Sequence, residues 1–527
     1  MKKTKINLLI ATTFIGVSLH AGQPKLVVGI AVDGLRQETL DMLRPHLEKD
    51  GFNRFFNQGL ILENIDYGTN LDAVSASALL LTGASPNVNG IGCENVYDAE
   101  ARRVNKVFYD SATLGNFSEY GFSPRALRVS TINDEIRIAG AGVTYVYSIA
   151  PTAAKAVVLA GHAGNSAVWF NENTGKWATS TFFSEMPYPA LTSNRTNNII
   201  NKLDTLQWVP SQATKATSLP QHLVAYPFRY TFAGKGSDRF KYFAASPFIN
   251  NEITILAQEY VKTLELGKHD GPDVLNLSYS LNPYEFSKSS ENRYELYDSY
   301  IKLDKNLSEL FRTIDQNIGK ENVILYLYGT PQVTHRRKDD EKWRIPSGEF
   351  SSRKAVSLLN LYLIALHGNG EWVKAFHDGN FYLNKELANS LGKDVNQIRE
   401  QASDCLIRMA GVGHAYTIDD ILNASANVPN AQGRLRNTVI TQTGDVVIEL
   451  IPGWSLVDDF NNPGDNASTV HTQSPTTASF MISFPGAVSR RINATIDARA
   501  IAPTLAGLMH IRSPNGASIA PITLIEP

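Results

Sequence analysis

Cysteine is scarce in this sequence, which has only two in 527 residues, Cys93 and Cys405. A zinc site built from several cysteine thiolates is therefore excluded. One possible pair so far apart in the chain does not make a disulfide framework, although export would permit the bond. A bonded pair and two free thiols both stay open.

An excess of one charge sign is also missing. The chain has 49 lysines and arginines against 51 aspartates and glutamates, a formal net charge of -2. Proteins that bind nucleic acid or anionic membranes through electrostatics carry a basic surface. The composition gives no reason to expect a nucleic-acid partner.

Long apolar runs are absent except near the amino terminus, where INLLIATTFIGVSL follows the basic start MKK. This run is shorter than the roughly 20 residues that span a bilayer. Basic start, apolar run and the small residue at Ala21 are typical of a signal peptide. We predict a signal peptide over 1–21, a mature exported chain over 22–527 and no transmembrane segment.

Strand and helix patterns alternate along the rest of the chain. The apolar runs at 25–34, 273–280 and 322–329 predict buried parallel strands, and residues 294–319 have the spacing of an amphipathic helix. This alternation predicts an α/β fold with a mostly parallel central sheet and helices on both faces. The chemistry of such a fold lies at the carboxyl ends of the strands, here at Asp33 among others.

Two intervals, roughly 95–260 and 365–445, interrupt this alternation. We interpret them as cap insertions that fold over the active edge of one compact unit. Within the first, residues 167–183 predict a β-hairpin that turns at Asn-Thr-Gly.

A short helix rich in small residues is predicted within 70–91, after a polar loop. A hydroxyl at the start of such a helix could act as a nucleophile, because free backbone N–H groups there attract phosphate. Ser75 and Ser77 are the candidates. The alternative, which we favour, is that both are small residues that pack the helix against the sheet.

Motifs along the whole chain resemble one known family. They are KLVVGIAVDGLR, GFNRFFNQGLILEN, LTGASPNVNGI, AGHAGNSAVWF, YDSYIKLDKNLSELF, GVGHAYTIDDIL and RAIAPTLAGLMHIRSPNG. In order and spacing they resemble the periplasmic alkaline phosphatases with a single threonine nucleophile, within the alkaline phosphatase/nucleotide pyrophosphatase superfamily. The resemblance implies an alkaline-phosphatase-like sheet and a periplasmic or outer-membrane-associated location.

The resemblance also implies what an active site would need. Two zinc ions clamp the attacking and leaving oxygens, and a threonine hydroxylate attacks phosphorus. About six Asp and His ligands are required, together with Asn, Lys and Arg donors for the phosphoryl oxygens.

The positions that match the nucleophile and the phosphate donors have lost their chemistry. The threonine position is occupied by Ala73, which has no hydroxyl. The asparagine position is occupied by Glu94, whose carboxylate would repel phosphate. In place of the Lys-x-Arg clamp, the segment IAPTAAKAV has only Lys155 as a basic residue.

Most metal positions are vacated too. One Asp-His pair matches Pro283 and Ser287, and the second matches Thr330 and Pro331. The positions that remain are Asp33 and His471, which the resemblance assigns to different zinc ions. His335 matches a separate family histidine and does not restore a pair.

These losses predict a non-catalytic protein with no zinc and no other cofactor, a pseudoenzyme of the superfamily. We expect it to use the phosphatase-like fold and the vacated cleft for binding or assembly. Its partner would be a protein or a glycan of the cell envelope.

The alternative is a metal-dependent phosphomonoesterase or phosphodiesterase with a rebuilt site. One zinc ion could be held by the acidic and histidine residues near these positions, with Ser75 or a water molecule as nucleophile. The ligands would come from Asp33, Asp72, Glu94, His471 and His335.

Overall fold

The structure is a computed structural model. It describes residues 23–68, 71–98, 101–212, 214, 227–287, 293–331, 348–426, 428–451, 453–461, 468–469 and 477–524. Within these residues, no helix is both long enough and apolar enough to cross a membrane.

The strands, numbered in chain order, are β1 Leu26–Asp33, β2 Leu60–Asp66, β3 Asn95–Asp98, β4 Arg103–Lys106, β5 Gly115–Asn116, β6 Val146–Ala150, β7 Ser166–Asn171, β8 Lys176–Ser180, β9 Gln207–Trp208, β10 Tyr230–Thr231, β11 Asp273–Ser280, β12 Val323–Thr330, β13 Gly348–Ser351, β14 Val373–His377, β15 Asn380–Leu383, β16 Val412–Thr417, β17 Val446–Leu450, β18 Trp454–Val457, β19 Ser468–Thr469, β20 Thr477–Ser483 and β21 Arg490–Asp497.

The α-helices are Gln37–Leu43, Phe52–Gln58, Ala73–Thr82, Pro86–Asn89, Ile132–Ala139, Ala153–Ala160, Tyr188–Arg195, Asn198–Lys202, Arg239–Ala244, Phe248–Thr263, Arg293–Asn317, Ser352–His367, Lys385–Ser390, Val395–Leu406, Ile418–Leu422, Ala431–Asn437 and Ile501–Leu508. Short 3-10 helices are Arg44–His46, Pro124–Ala126, Gly236–Asp238, Lys320–Asn322, Ile440–Gln442 and Ala498–Ala500.

A ten-stranded sheet forms the centre of the molecule, in the order β21-β2-β20-β12-β1-β11-β6-β7-β8-β5. The middle strands β12, β1, β11, β6 and β7 pair in parallel. Every residue of β1 is buried, as expected for a parallel strand covered on both faces. The predicted α/β sheet is thus confirmed, but it is mixed, because β20 and β8 pair antiparallel with their neighbours.

Helices cover both faces of this sheet. One face packs on an apolar cluster that includes the helices Phe248–Thr263 and Arg293–Asn317. The other face packs on a second cluster that includes Ala73–Thr82, Ala153–Ala160 and Ile501–Leu508. The predicted amphipathic helix 294–319 is therefore confirmed.

Two smaller sheets, β14-β15-β17-β16 and β13-β18-β19, form a separate layer within residues 348–469. This layer has its own apolar core, to which the helix Ser352–His367 contributes. It contains the predicted insertion 365–445. The interval 95–260 differs, because its strands β5 to β8 belong to the central sheet. The hairpin predicted at 167–183 is confirmed as β7 and β8.

A carboxylate of the helix Arg293–Asn317 holds the backbone from Glu48 to Phe52. Asp304 accepts hydrogen bonds from the backbone N–H groups of Phe52, at 2.7 Å, and Glu48, at 2.5 Å. A Cβ atom at residue 51 would lie 2.1 Å from Asp304 Oδ1, so this close approach requires glycine. Burial raises the pKa of Asp304 to about 7.

Candidate functional site

The candidate site lies where three neighbouring strands end. Asp33 closes β1, and the strand register places it beside Ser280 of β11 and Thr330 of β12. All three are at carboxyl ends of parallel strands, the edge at which α/β folds hold their sites. The position predicted for Asp33 is therefore observed.

The carboxylate of Asp33 has a partner on each oxygen. The ammonium of Lys155 donates to Oδ2 and forms an ion pair with it. The hydroxyl of Thr330 donates to Oδ1 at 2.8 Å. Asp33 is only 2% exposed, so this pairing offsets the cost of burying the charge.

Lys155 reaches the site from the helix Ala153–Ala160, which follows β6. Its side chain is 15% exposed. Burial by itself would lower the pKa of Lys155, but the Asp33 carboxylate, with Glu94 and Asp72, raises it above the ordinary lysine value. The side chain therefore stays charged.

The helix Ala73–Thr82 starts with the vacated nucleophile position. Ala73 is its first residue, and Asp72 caps it by accepting from the N–H groups of Val74, at 3.0 Å, and Ser75, at 2.8 Å. The Ser75 hydroxyl completes a capping box, accepting from the Asp72 N–H at 2.9 Å. Ser77 donates to the carbonyl of Ala73 at 2.8 Å. Both serines are buried and form hydrogen bonds within the start of this helix.

Asp72 also anchors the loop that carries Glu94. The Glu94 N–H donates to Asp72 Oδ2 at 2.5 Å. Burial raises the pKa of Asp72, although the N–H groups of Ser75 and Glu94 act in the opposite direction. The carboxylate of Glu94 pairs with Lys106 at 2.9 Å.

Ser287 is hydrogen-bonded to Glu295 and Tyr230, whereas Asp33 is hydrogen-bonded to Lys155 and Thr330. The Ser287 hydroxyl donates to Glu295 at 2.9 Å and accepts from Tyr230 at 3.2 Å. Pro283 is half-buried in the loop that follows β11. Ser287 thus binds the start of the helix Arg293–Asn317.

The second vacated pair lies next to Asp33. Thr330 and Pro331 are both buried at the end of β12, and Thr330 is the hydroxyl donor to Asp33. The two histidines of the sequence prediction, His471 and His335, lie outside the described residues.

These side chains do not fit a two-zinc centre. Both oxygens of Asp33 already accept hydrogen bonds, and the adjacent strand end supplies a hydroxyl and a proline. Across the part of the chain that the structure describes, no group of three or more His, Cys, Asp or Glu residues could hold a metal ion. Catalytic zinc sites take three ligands from the protein.

A cavity of about 210 Å³ adjoins this site. Its lining combines the charged pair Glu94 and Lys106 with Thr152 and the aromatic residues Tyr120 and Trp169. Of the vacated positions that the sequence assigns to the cleft, Glu94 also lines this cavity.

Both cysteines are free thiols, so of the two alternatives left open by the sequence the structure has the unbonded one. Burial raises the pKa of Cys93 and of Cys405 above the ordinary thiol value. Raised pKa values keep both sulfurs protonated and unreactive.

The contact between Lys155 and Asp33 was not predicted from the sequence. Sequence reasoning matched Lys155 to the remains of a phosphate clamp, whereas the structure pairs it with Asp33. A lysine in the first turn of a helix after a core strand was the available signal. A sequence alone does not show which carboxylate such a side chain meets.

Comparisons with known proteins agree with this fold. The chain is 24% identical over 555 residues to alkaline phosphatase PafA of Elizabethkingia meningoseptica, covering 99% of this chain and 98% of that protein. It is 26% identical over 523 residues to alkaline phosphatase PhoV of Synechococcus elongatus, covering 94% of this chain and 91% of that protein.

The crystal structure of wild-type PafA superimposes with a TM-score of 0.83 at 22% identity, over 96% of this chain and 99% of that chain. The alkaline-phosphatase-like fold is thereby confirmed. The model of the type I phosphodiesterase / nucleotide pyrophosphatase family matches residues 27–476. The chain therefore belongs to the type I phosphodiesterase / nucleotide pyrophosphatase family, within the alkaline phosphatase superfamily.

Proposed function

We propose that this chain is a non-catalytic member of its family, exported to the cell envelope, that uses the phosphatase-like fold for binding or assembly. The observation that carries the proposal is the state of Asp33. Its two carboxylate oxygens accept hydrogen bonds from Lys155 and Thr330, so a metal ion at this retained ligand position would have to compete with the buried Lys155 ammonium for the same carboxylate.

The start of the neighbouring helix supports the same conclusion. Ala73 supplies no hydroxyl at the position that the resemblance assigns to the nucleophile, and Ser75 is engaged in the capping box. Glu94 adds a negative charge where a phosphoryl group would need donors. Neither nucleophile nor charge stabilisation is thus provided by these residues.

The cavity beside Glu94 is the part of the cleft that we assign to a partner. Its aromatic and polar lining suits a protein side chain or a sugar ring, because aromatic faces and hydrogen-bonding groups are combined there. Export rests on the predicted signal peptide over 1–21, which lies outside the described residues.

Two measurements test this proposal: the zinc content of the protein and its rate of hydrolysis of a chromogenic phosphate monoester and diester. The mature protein is purified from zinc-supplemented cells and dialysed before metals are measured by mass spectrometry. We expect well below one zinc ion per chain and no turnover above a protein-free control.

The second candidate is a metal-dependent phosphatase with a rebuilt site, which would share its activity with the alkaline phosphatases to which the chain is similar. It requires at least one tightly held zinc ion and turnover that is lost in Asp33→Ala and His471→Ala. That result would overturn the proposal. If turnover is absent from the wild type, the protein should instead elute from envelope extracts in an assembly larger than one chain.

A further inference from the structure

The acidic centre, defined here as Asp33, Asp72 and Glu94, gathers carboxylates from three separate segments. Asp33 ends β1, Asp72 precedes the helix Ala73–Thr82, and Glu94 lies in the loop before β3. Asp33 is buried, Asp72 is half-buried, and the Glu94 side chain is 22% exposed. Like charges in a medium of low polarity repel, so a cation beside them stabilises such a centre.

The cation at this centre belongs to the chain itself. Lys155 contacts Asp33 directly, and Glu94 and Asp72 also act on its charge. Its ammonium has three donors and a single positive charge. The ion pair with Asp33 therefore balances one carboxylate with one positive charge.

Each carboxylate of the centre has a partner that matches this arrangement. Asp72 is satisfied by the N–H groups of the helix that it caps, and Glu94 pairs with Lys106. Asp33 is the member that depends on Lys155. A divalent ion at Asp33 would have to displace the ammonium that already contacts this carboxylate.

We propose that Lys155 is the resident cation of the acidic centre. Its ammonium group, which is attached to the chain, stabilises this edge of the sheet as a bound metal ion would. The fold there therefore forms without metal. The inference rests on the proposed function in one respect, that the wild-type chain holds no zinc at Asp33.

Chemical rescue tests this inference. Lys155→Ala removes the side chain beyond Cβ, which n-propylammonium matches in length and charge. We expect the Tm of Lys155→Ala to fall by about 3–6 °C and to recover with n-propylammonium but not with n-propanol. Wild type should respond equally little to both compounds.

The matched control is Lys106→Ala, which removes the partly exposed partner of Glu94. Its Tm should change by less than about 2 °C and show no selective rescue by the ammonium compound. Equal rescue of Lys155→Ala by n-propanol would mean that the side chain only fills space, and would overturn the inference. So would a Lys155→Ala protein as stable as wild type.

Lys155→Met keeps the test informative if the alanine variant fails to fold, because methionine fills most of the space without charge. The Tm of this variant should fall below wild type, whereas the Tm of wild type should be the same with EDTA and with added zinc chloride. A Lys155→Met protein with wild-type Tm would contradict the inference.

Failure of this inference is distinguishable from failure of the proposed function. Zinc content and hydrolysis of the wild type decide the latter. If the wild type is zinc-free and inactive but its Lys155→Ala variant shows no selective rescue, only the inference about Lys155 is overturned.

Discussion

Asp33 and Asp304 are two buried carboxylates that the protein stabilises in different ways. Asp33 is 2% exposed and Asp304 is 1% exposed. Asp33 meets an ammonium and a hydroxyl, whereas Asp304 accepts two backbone N–H groups from the segment around Gly51. The hydrogen bonds to Asp304 do not offset its desolvation, and its pKa rises to about 7.

The two carboxylates therefore depend on different kinds of partner. The Asp304 junction joins the helix Arg293–Asn317 to the segment around Gly51 through two backbone N–H groups. The Asp33 centre lies at the edge where α/β folds hold their sites, and its carboxylate pairs with one cation from another segment. The following substitutions test that contrast.

The largest loss is expected from Asp33→Asn, because it leaves the ammonium of Lys155 buried without a counter-charge. We expect the free energy of unfolding in urea to fall by about 3–5 kcal/mol. Adding Lys155→Met to Asp33→Asn should restore part of that loss, since the remaining pair is neutral. A single-variant loss below about 1 kcal/mol would show that Asp33 and Lys155 are not coupled in solution.

Asp304 should instead make stability depend on pH. Its folded pKa of about 7 lies above the ordinary aspartate value of 3.8, so the folded state holds a proton that the unfolded state releases. The contribution is present below about pH 4 and is lost as pH rises through 7, about 4 kcal/mol in all.

The measurement is the unfolding free energy of wild type minus that of Asp304→Asn between pH 4 and pH 8. The asparagine variant cannot titrate at this position, so the difference isolates the carboxyl group. A flat difference would mean that Asp304 titrates alike in both states.

Gly51→Ala tests the close approach on the Asp304 side. The new Cβ would overlap Asp304 Oδ1, and we expect a loss of about 1–3 kcal/mol in urea unfolding. Gly507→Ala is the matched control, because no atom lies within 4 Å of a Cβ there. In its helix that change should leave stability within about 1 kcal/mol of wild type. Equal effects at both glycines would refute the packing argument.

The smallest effect is expected from Ser75→Ala, beside the acidic centre. Loss of the capping box should cost about 1 kcal/mol of stability, whereas Ser77→Ala, which removes only a bond within the helix, should cost less. Stability is read from urea unfolding and turnover from the phosphate ester assay. A Ser75→Ala protein that keeps its stability but loses a measurable turnover would mark Ser75 as a nucleophile.

Much of the fold was predictable because burial leaves a local record in the sequence. The run 25–34 is apolar at successive positions since β1 is covered on both faces, and β1 was found there. The spacing of 294–319 likewise matched the helix Arg293–Asn317. The β7–β8 hairpin also left a record in its turn, whereas the antiparallel pairing of β20 with β12 and β2 did not, because it joins segments that are distant in the chain.

The candidate site was predicted in part. The place of Asp33 at the end of β1 followed from the strand pattern, and the lack of a hydroxyl at Ala73 is a property of the residue itself. The capping role of Ser75 was not predicted, although Asp72 three residues before it carried the signal.

The sequence by itself determined the fold class and which chemical groups the chain can offer at each position. Only the tertiary structure decided which of these groups meet. Lys155 and Asp33 are 122 residues apart, and their contact depends on how the helix Ala153–Ala160 packs against the sheet beside β1. Side-chain charge is fixed by residue type, but the partner of a buried charge is fixed by the packing of elements that are distant in the chain.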